Sequence, residues 1–483
     1  MMDTAKQTLR DRLTMLVITG AGALMQTLWA VAGLIIARSI DPVSYGKVTY
    51  FFSIYGMVVL LGAIGLSTQI TTELARLSAS GRSGEHWQTI SALGLARAAT
   101  LAPIAVISAL VAWRVDLIAG VAGEAGVAVL CFGFSLGIVQ GLHKPVLVAT
   151  LALGQAVIYL ALVAAWGRTS PEHVYATLIT SHLAAAASAI VTSVVLIPDW
   201  KFSLSSGLLR KWKSFARFSS QAYMVSLMAA PYATLATLAL GKMDRFQDAA
   251  IFGVGLSLMI VLPTALNMVV SIQYYPRLCL LIGGSPDSAR SWLDTFYRTF
   301  AVMGLASAML LLFFPKQIIE VLFTPKYLAA VPVLQSLAPA ALLMTLGNLL
   351  VWTLVAHGQL RVAITGGAVQ LTILIATIVT CIALPSLPLW SLGLGHVAAA
   401  MGGLAIWGFG IKRVQPAHNW HPSRLTLAAL ATAGSAALLR HTTPSLDASR
   451  LATTGVLIAA GVGAVVISAP ILIAQRSPHG WSL

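Results

Sequence analysis

Long apolar runs, separated by short polar connections, repeat along almost the whole chain. Each run holds about 20 residues or more, the length a helix needs to cross a hydrocarbon core of about 30 Å. They predict spans at 13–37, 47–69, 90–113, 118–142, 145–167, 174–197, 219–241, 249–274, 293–315, 330–356, 361–384, 388–411, 425–440 and 451–474. The thirteenth is the shortest. The runs are continuous rather than alternating, which argues against a membrane β-barrel. Consecutive spans are expected to be antiparallel neighbours, and no loop is long enough to fold as a domain. Leu13 to Ala37 follows Lys6, Arg10 and Arg12. It exceeds the roughly 7–15 residues of a signal core, and it is read as a retained first helix.

Composition agrees. Of 483 residues, 58% are hydrophobic and 9% charged, with a mean hydropathy of +0.86. Too few polar side chains exist to solvate a surface of that size. The expected fold class is therefore all-α: a polytopic membrane protein of about 14 spans. With the N-terminus inside, 19 Lys and Arg fall in cytoplasmic connections and 10 in outer ones, Arg97 being left within a span. That bias places both termini in the cytoplasm. It also accounts for the net charge of +15 by topology and contact with anionic lipids, without nucleic acid. Cys131, Cys279 and Cys381 lie in apolar runs without metal-ligand spacing and are read as packing residues.

Two echoes suggest an internal repeat. Aligning Asp41 with Asp248 sets Tyr45 on Phe252 and Gly46 on Gly253, at an offset of 207. "GLHK" (Gly141 to Lys144) and "GQLR" (Gly358 to Arg361) match at an offset of 217. Both fit a period of six helices with equal topology, related by an axis along the membrane normal. The expected organisation is an N-lobe over 1–200, a linker over 201–218, a C-lobe over 219–413 and two supernumerary helices over 414–483. In the linker, Leu208, Trp212, Phe215 and Ser219 share a helical face away from most of Arg210, Lys211, Lys213 and Arg217. That pattern suits a helix lying in the cytoplasmic interface.

The stretches "DPVSYGKVTYFFSIYGMVVLLGAIGLSTQITTELAR" and "GKMDRFQDAAIFGVGLSLMIVLPTALNMVVSIQYYPRL" carry a family likeness. They resemble polysaccharide transporters of the multidrug/oligosaccharidyl-lipid/polysaccharide flippase superfamily, the O-antigen flippases among them. The resemblance covers roughly residues 10–415 in layout. It implies two six-helix lobes around a cavity that opens alternately to each side of the cytoplasmic membrane. The implied cargo is an undecaprenyl-pyrophosphate-linked oligosaccharide for O-antigen, capsule or exopolysaccharide assembly. Polysaccharide polymerase and glycosyltransferases are the implied partners. Some relatives carry cations in the first and second helices; here the first span is uncharged, with Gln26 its most polar member.

Several residues are candidates for handling such a cargo. Arg97 is the only basic residue well inside an apolar run, and Thr100 shares its helical face. A guanidinium there would bind a pyrophosphate strongly; the alternative is snorkelling to headgroups. On the first reading, Arg97→Ala abolishes transport at normal abundance. Gln26 and Gln221 open the two lobes, where amides suit sugar hydroxyls or helix contacts. Lys144 and Arg361, at paired inner loops, read as anchors and first phosphate contacts. Glu124 is a coupling-site candidate, although the glycines around it suggest that its helix starts only near Ala125. Asp244 and Arg245 read as lobe-rim residues with separate partners, since neighbours do not share a helical face. His182 and His396 read as core residues. Pro231 and Pro263 mark places where helices bend.

No catalytic constellation, Walker motif or metal-ligand spacing is visible in the sequence, and no cofactor is expected. A multidrug or toxin exporter is the alternative within the superfamily, and it would want acidic side chains in its spans. A membrane enzyme of glycan assembly is the alternative from another class, and it would want a substantial extramembrane loop.

Overall fold

The computed structural model describes residues 2–63, 65–79, 83–142, 144–197, 223–224, 227, 232, 234–270, 274–284 and 286–414. The linker 201–218, Gln221, Pro231 and both supernumerary helices lie outside the described residues, as does about half of the span 219–241.

Among the described residues every regular element is helical, as lipid demands of backbone that has no water to bond to. Unit 1 contains α1 (Met2–Ser39), α2 (Pro42–Ala63), α3 (Leu66–Ala79), α4 (His86–Arg114) and α5 (Leu117–Gly141). It continues with α6 (Pro145–Leu162), which closes in a π-helical turn, then α7 (Pro171–Leu196) and α8 (Leu235–Lys242). Next come α9 (Phe246–Val269), α10 (Tyr275–Gly284), α11 (Pro286–Phe313) and α12 (Pro315–Leu322). The series ends with α13 (Val331–Ala356), α14 (Leu360–Ala383) and α15 (Trp390–Val414). The chain divides into two compact units, Met1–Gly253 and Val254–Leu483, so the boundary falls inside α9. Eleven of these helices are long and apolar enough to cross a membrane. The protein is a multi-pass membrane protein.

Two differences from the sequence expectation have clear causes. The run 47–69 is not one span. α2 stops at Ala63, Gly65 takes a left-handed φ of +69°, and α3 starts afresh at Leu66. Glycine is the residue that takes such a turn without a Cβ penalty. The α9–α10 pair repeats the arrangement of a span followed by a short helix. Secondly, α5 starts at Leu117, in keeping with the expected span 118–142, and not near Ala125 as the glycines around Glu124 suggest. Asp116 caps it, its carboxylate accepting from the Ala119 N–H at 3.1 Å and from the Tyr50 hydroxyl at 2.9 Å. Glu124 therefore sits in the third turn of a formed helix.

Unit 1 is held by an aromatic core. Phe51 stacks on Tyr175 with centroids 4.2 Å apart, and Trp29 stacks on Tyr159 at 4.4 Å. The repeated glycines of the Asp41/Asp248 echo have a common use. Gly46 of α2 lies directly against the Phe246 backbone carbonyl, and a Cβ on Gly253 of α9 would meet the Thr49 methyl at 2.6 Å. Each glycine lets the other helix approach. The aspartates of the same motif differ. Asp41 precedes α2 and accepts from the Val43 and Ser44 N–H groups at 2.9 and 3.0 Å. Hydrogen bonds from Ser44 hold its carboxyl below the usual carboxylate range. Asp248 lies inside α9 and pairs with Arg245 at 2.7 Å.

In unit 2, Tyr274 packs on Phe296 at 5.0 Å and shares a 2.7 Å hydrogen bond with the Thr353 hydroxyl. Pro263 lies inside the continuous α9, and α13 bonds to α9 at and just after it. The Asn348 amide donates to the Pro263 carbonyl at 3.3 Å, and the Trp352 indole donates to Asn267 at 2.9 Å.

Candidate functional site

Arg97 lies in the fourth turn of α4 and is 3% exposed. Its Nη1 donates to the Gly62 carbonyl at 2.6 Å and its Nη2 to the Leu130 carbonyl at 2.9 Å. The Gly62 carbonyl is available because α2 ends one residue later, and the last carbonyls of a helix lack intrahelical donors. Leu130 is mid-helix, so its oxygen offers its second lone pair. The guanidinium thus ties together α2, α4 and α5, with its buried Nε meeting no acceptor among the described residues. Thr100 turns its hydroxyl back onto the Arg97 carbonyl at 2.8 Å.

The other sequence candidates are spread out. Gln26 is half-buried on α1, Glu124 is half-buried on α5, and Lys144 and Arg361 are exposed at the starts of α6 and α14. Asp244, in the turn between α8 and α9, adopts a left-handed φ of +57°. Its neighbour Arg245 pairs with Asp248 instead. His182 is ringed by Trp29, Tyr55 and Phe132 at 5.9–6.3 Å, and its Nδ1 donates to the Leu178 carbonyl at 2.9 Å. His396 does the same to the Leu392 carbonyl at 2.8 Å. No group of three or more His, Cys, Asp or Glu suited to a metal ion occurs among the described residues.

The structure adds a polar cluster that the sequence reading counted only as loop charge. Asp287, Arg290, Ser291, Asp294, Thr295 and Arg298 line a recess of about 390 Å³ on one face of α11. Their spacing of three, four, seven and eight residues is that of a single helical stripe. Ala289, Leu293, Phe296, Tyr297 and Phe300 fill the opposite, buried face. The period was present in the sequence. The apolar run expected over 293–315 begins inside the stripe, which hides the period.

Depth gives this stripe its significance. The uncharged run Thr299–Phe313 rises about 22 Å at 1.5 Å per residue, short of the about 30 Å of a hydrocarbon core. The stripe therefore lies at the entry end of a spanning α11, where long basic side chains can reach back to the interface.

The sequence profile of the polysaccharide biosynthesis protein family matches residues 9–280. The chain belongs to this family. No curated protein matches the chain as a relative, but solved structures share its fold. The structure described as the lipid II flippase MurJ in an inward closed conformation aligns with a TM-score of 0.65 at 11% identity. It covers 95% of this chain and 99% of its own. An inward-facing multidrug resistance MATE family transporter of the MOP superfamily gives 0.61 at 14% identity, over 83% of this chain and 98% of its own. The Vibrio cholerae MATE transporter VcmN in its bent form gives 0.56 at 13% identity, over 85% and 98%. This member of the polysaccharide biosynthesis family therefore has a flippase and transporter fold.

Proposed function

We propose that the protein is a flippase for an undecaprenyl-pyrophosphate-linked oligosaccharide. It would carry this unit outward across the cytoplasmic membrane by alternating access, for O-antigen, capsule or exopolysaccharide assembly, and it would do so without enzymatic chemistry. The observation that carries this reading is the family match over residues 9–280. The fold shared with the lipid II flippase MurJ supports a lipid-linked cargo. A pyrophosphate-bearing saccharide cannot pass hydrocarbon unaided, since each charge costs about 3 kcal/mol or more at mid-bilayer.

The likeness to MATE transporters favours a second reading, a multidrug exporter. Fixed acids at membrane depth would suit it. The buried charge of the spans is instead Arg97, and Glu124 is the half-buried acid that the exporter reading would have to use. In the flippase reading both termini are cytoplasmic, and Lys144 and Arg361 meet the phosphate first at the inner face. Gln26 and Gln221 face sugar hydroxyls, Glu124 is the candidate for ion coupling, and Asp244 and Arg245 shape the outer rim. Anionic lipids surround the basic inner face, and polymerase and glycosyltransferases work alongside.

Deletion of the gene should remove one surface glycan while its lipid-linked unit accumulates on the inner leaflet, read by mass spectrometry of extracted lipids. A deletion strain that keeps all surface glycans but gains sensitivity to cationic drugs would establish the exporter instead.

A further inference from the structure

We propose that Asn267, Asn348, Trp352 and Tyr275 form a saccharide-reading patch in the second unit, which holds one sugar ring of the lipid-linked cargo. The inference rests on the flippase reading above and names the residues that distinguish a glycosylated headgroup from a bare pyrophosphate.

Three helices supply the patch. α13 reaches α9 by two rungs, Asn348 to the Pro263 carbonyl and Trp352 to Asn267, each joining residues 85 apart in the chain. The rungs sit one helical turn from each other on both helices. The Tyr275 ring, at the start of α10, lies 5.0 Å from the Trp352 ring at an interplanar angle of 55°. All four side chains are half-buried.

A brace alone would use its amides up, and these are each used on one side only. Asn267 Oδ1 accepts the indole N–H, so its Nδ2 is left as a donor without an acceptor among the described residues. Asn348 Nδ2 donates to the Pro263 carbonyl, so its Oδ1 is left as an acceptor without a donor there. Neither leftover atom is sealed in the interior. Both asparagines belong to helices long and apolar enough to span, and polar groups in spans turn from lipid towards water or a ligand. The space they face is therefore polar.

The leftover chemistry matches a sugar. A pyranose has C–H faces that pack on aromatic rings and hydroxyls that both donate and accept. The patch offers indole and phenol faces, one amide donor and one amide acceptor. It carries no charge, so the pyrophosphate is left to a cation elsewhere. Arg361 begins the helix after α13 and thus stands at the end of the bundle that Trp352 approaches.

The test uses the full chain in phosphatidylcholine nanodiscs, with a polyprenyl pyrophosphate and the same lipid bearing an N-acetylhexosamine as probes. The readout is the ratio of the two affinities, which a loss of packing alone does not move. The wild-type chain should prefer the glycosylated lipid at least about tenfold, the scale of one or two hydrogen bonds. Asn267→Ala, Asn348→Ala and Trp352→Ala should each erase most of that preference, and Trp352→Phe, which keeps a ring, should retain part of it. Tyr275→Leu breaks neither rung; it should lower the preference with an unchanged thermal midpoint, and it stands in for any alanine variant that fails to fold. An unchanged ratio in the variants, or equal binding of both lipids by the wild-type chain, would overturn the patch and leave the flippase reading standing. A wild-type chain that binds neither lipid would remove both.

Discussion

α4 and α11 occupy matching places, each following a span and a short helix, and they begin at His86 and Pro286. Counted from those starts, Arg97 corresponds to Tyr297, and Arg298 comes one step later, about 100° around the helix. That single step separates two fates at nearly the same count from the helix start. In α4 the arginine points inward, because the broken end of α2 and the Leu130 carbonyl of α5 give it acceptors. In α11 the inward place belongs to Tyr297 among Leu293, Phe296 and Phe300, and the arginine lies on the stripe beside the recess. Depth alone does not decide what a membrane arginine does. The acceptors around its helix decide it.

The strongest way to break the comparison is Tyr297→Arg. It places a guanidinium in an apolar, aromatic setting beside Leu293, Phe296 and Phe300. An uncompensated buried charge costs about 3–5 kcal/mol, so abundance and detergent thermal midpoint should both fall sharply. Wild-type stability would mean that the inward face of α11 is as accommodating as that of α4.

Arg97→Ala comes next. It removes two charge-assisted hydrogen bonds and should cost about 3 kcal/mol. Arg97→Lys, which loses the fork but reaches one carbonyl, should recover part of this. Stability and transport should decline together across the pair. A stable but transport-dead Arg97→Ala protein would show instead that the guanidinium leaves its carbonyls to meet the cargo.

The smallest effect sharpens the comparison at the glycine pair. Gly46→Ala drives a methyl into the Phe246 backbone, which cannot rotate away, and should cost about 1–3 kcal/mol. Gly253→Ala meets only the Thr49 side chain, which can turn aside, and should cost under about 1 kcal/mol. Equal thermal shifts in the two variants would show that the α2–α9 contact is symmetric in energy as well as in sequence.

The spans were legible because lipid sets their length and every backbone group must bond within its own helix. Breaks were harder to see. Gly65 sits in an unbroken apolar run, and nothing in its hydropathy announces a left-handed turn. Asp116 was readable as a cap in principle, yet the glycines before Glu124 argued for a later start. Close packing of α5 explains those glycines better, since Gly120 and Gly123 lie directly against Ala112 and Ser108 of α4. The setting of Arg97 was illegible for a different reason. Hydropathy gives a residue's level in the membrane, and the Gly62 and Leu130 carbonyls are 35 and 33 residues away along the chain. The α11 stripe lay between these cases, with its period plain in the sequence and its depth apparent only once the helix had a length.

The bonds beside Pro263 have a one-sided consequence. A proline removes the helix bond to the carbonyl four residues before it, here that of Met259. The α13 donors meet the Pro263 carbonyl and the Asn267 side chain, at and after the proline. The turn after Pro263 is thus tied to a neighbouring helix while the turn before it gives up a backbone bond, which makes the earlier turn the easier place for α9 to yield.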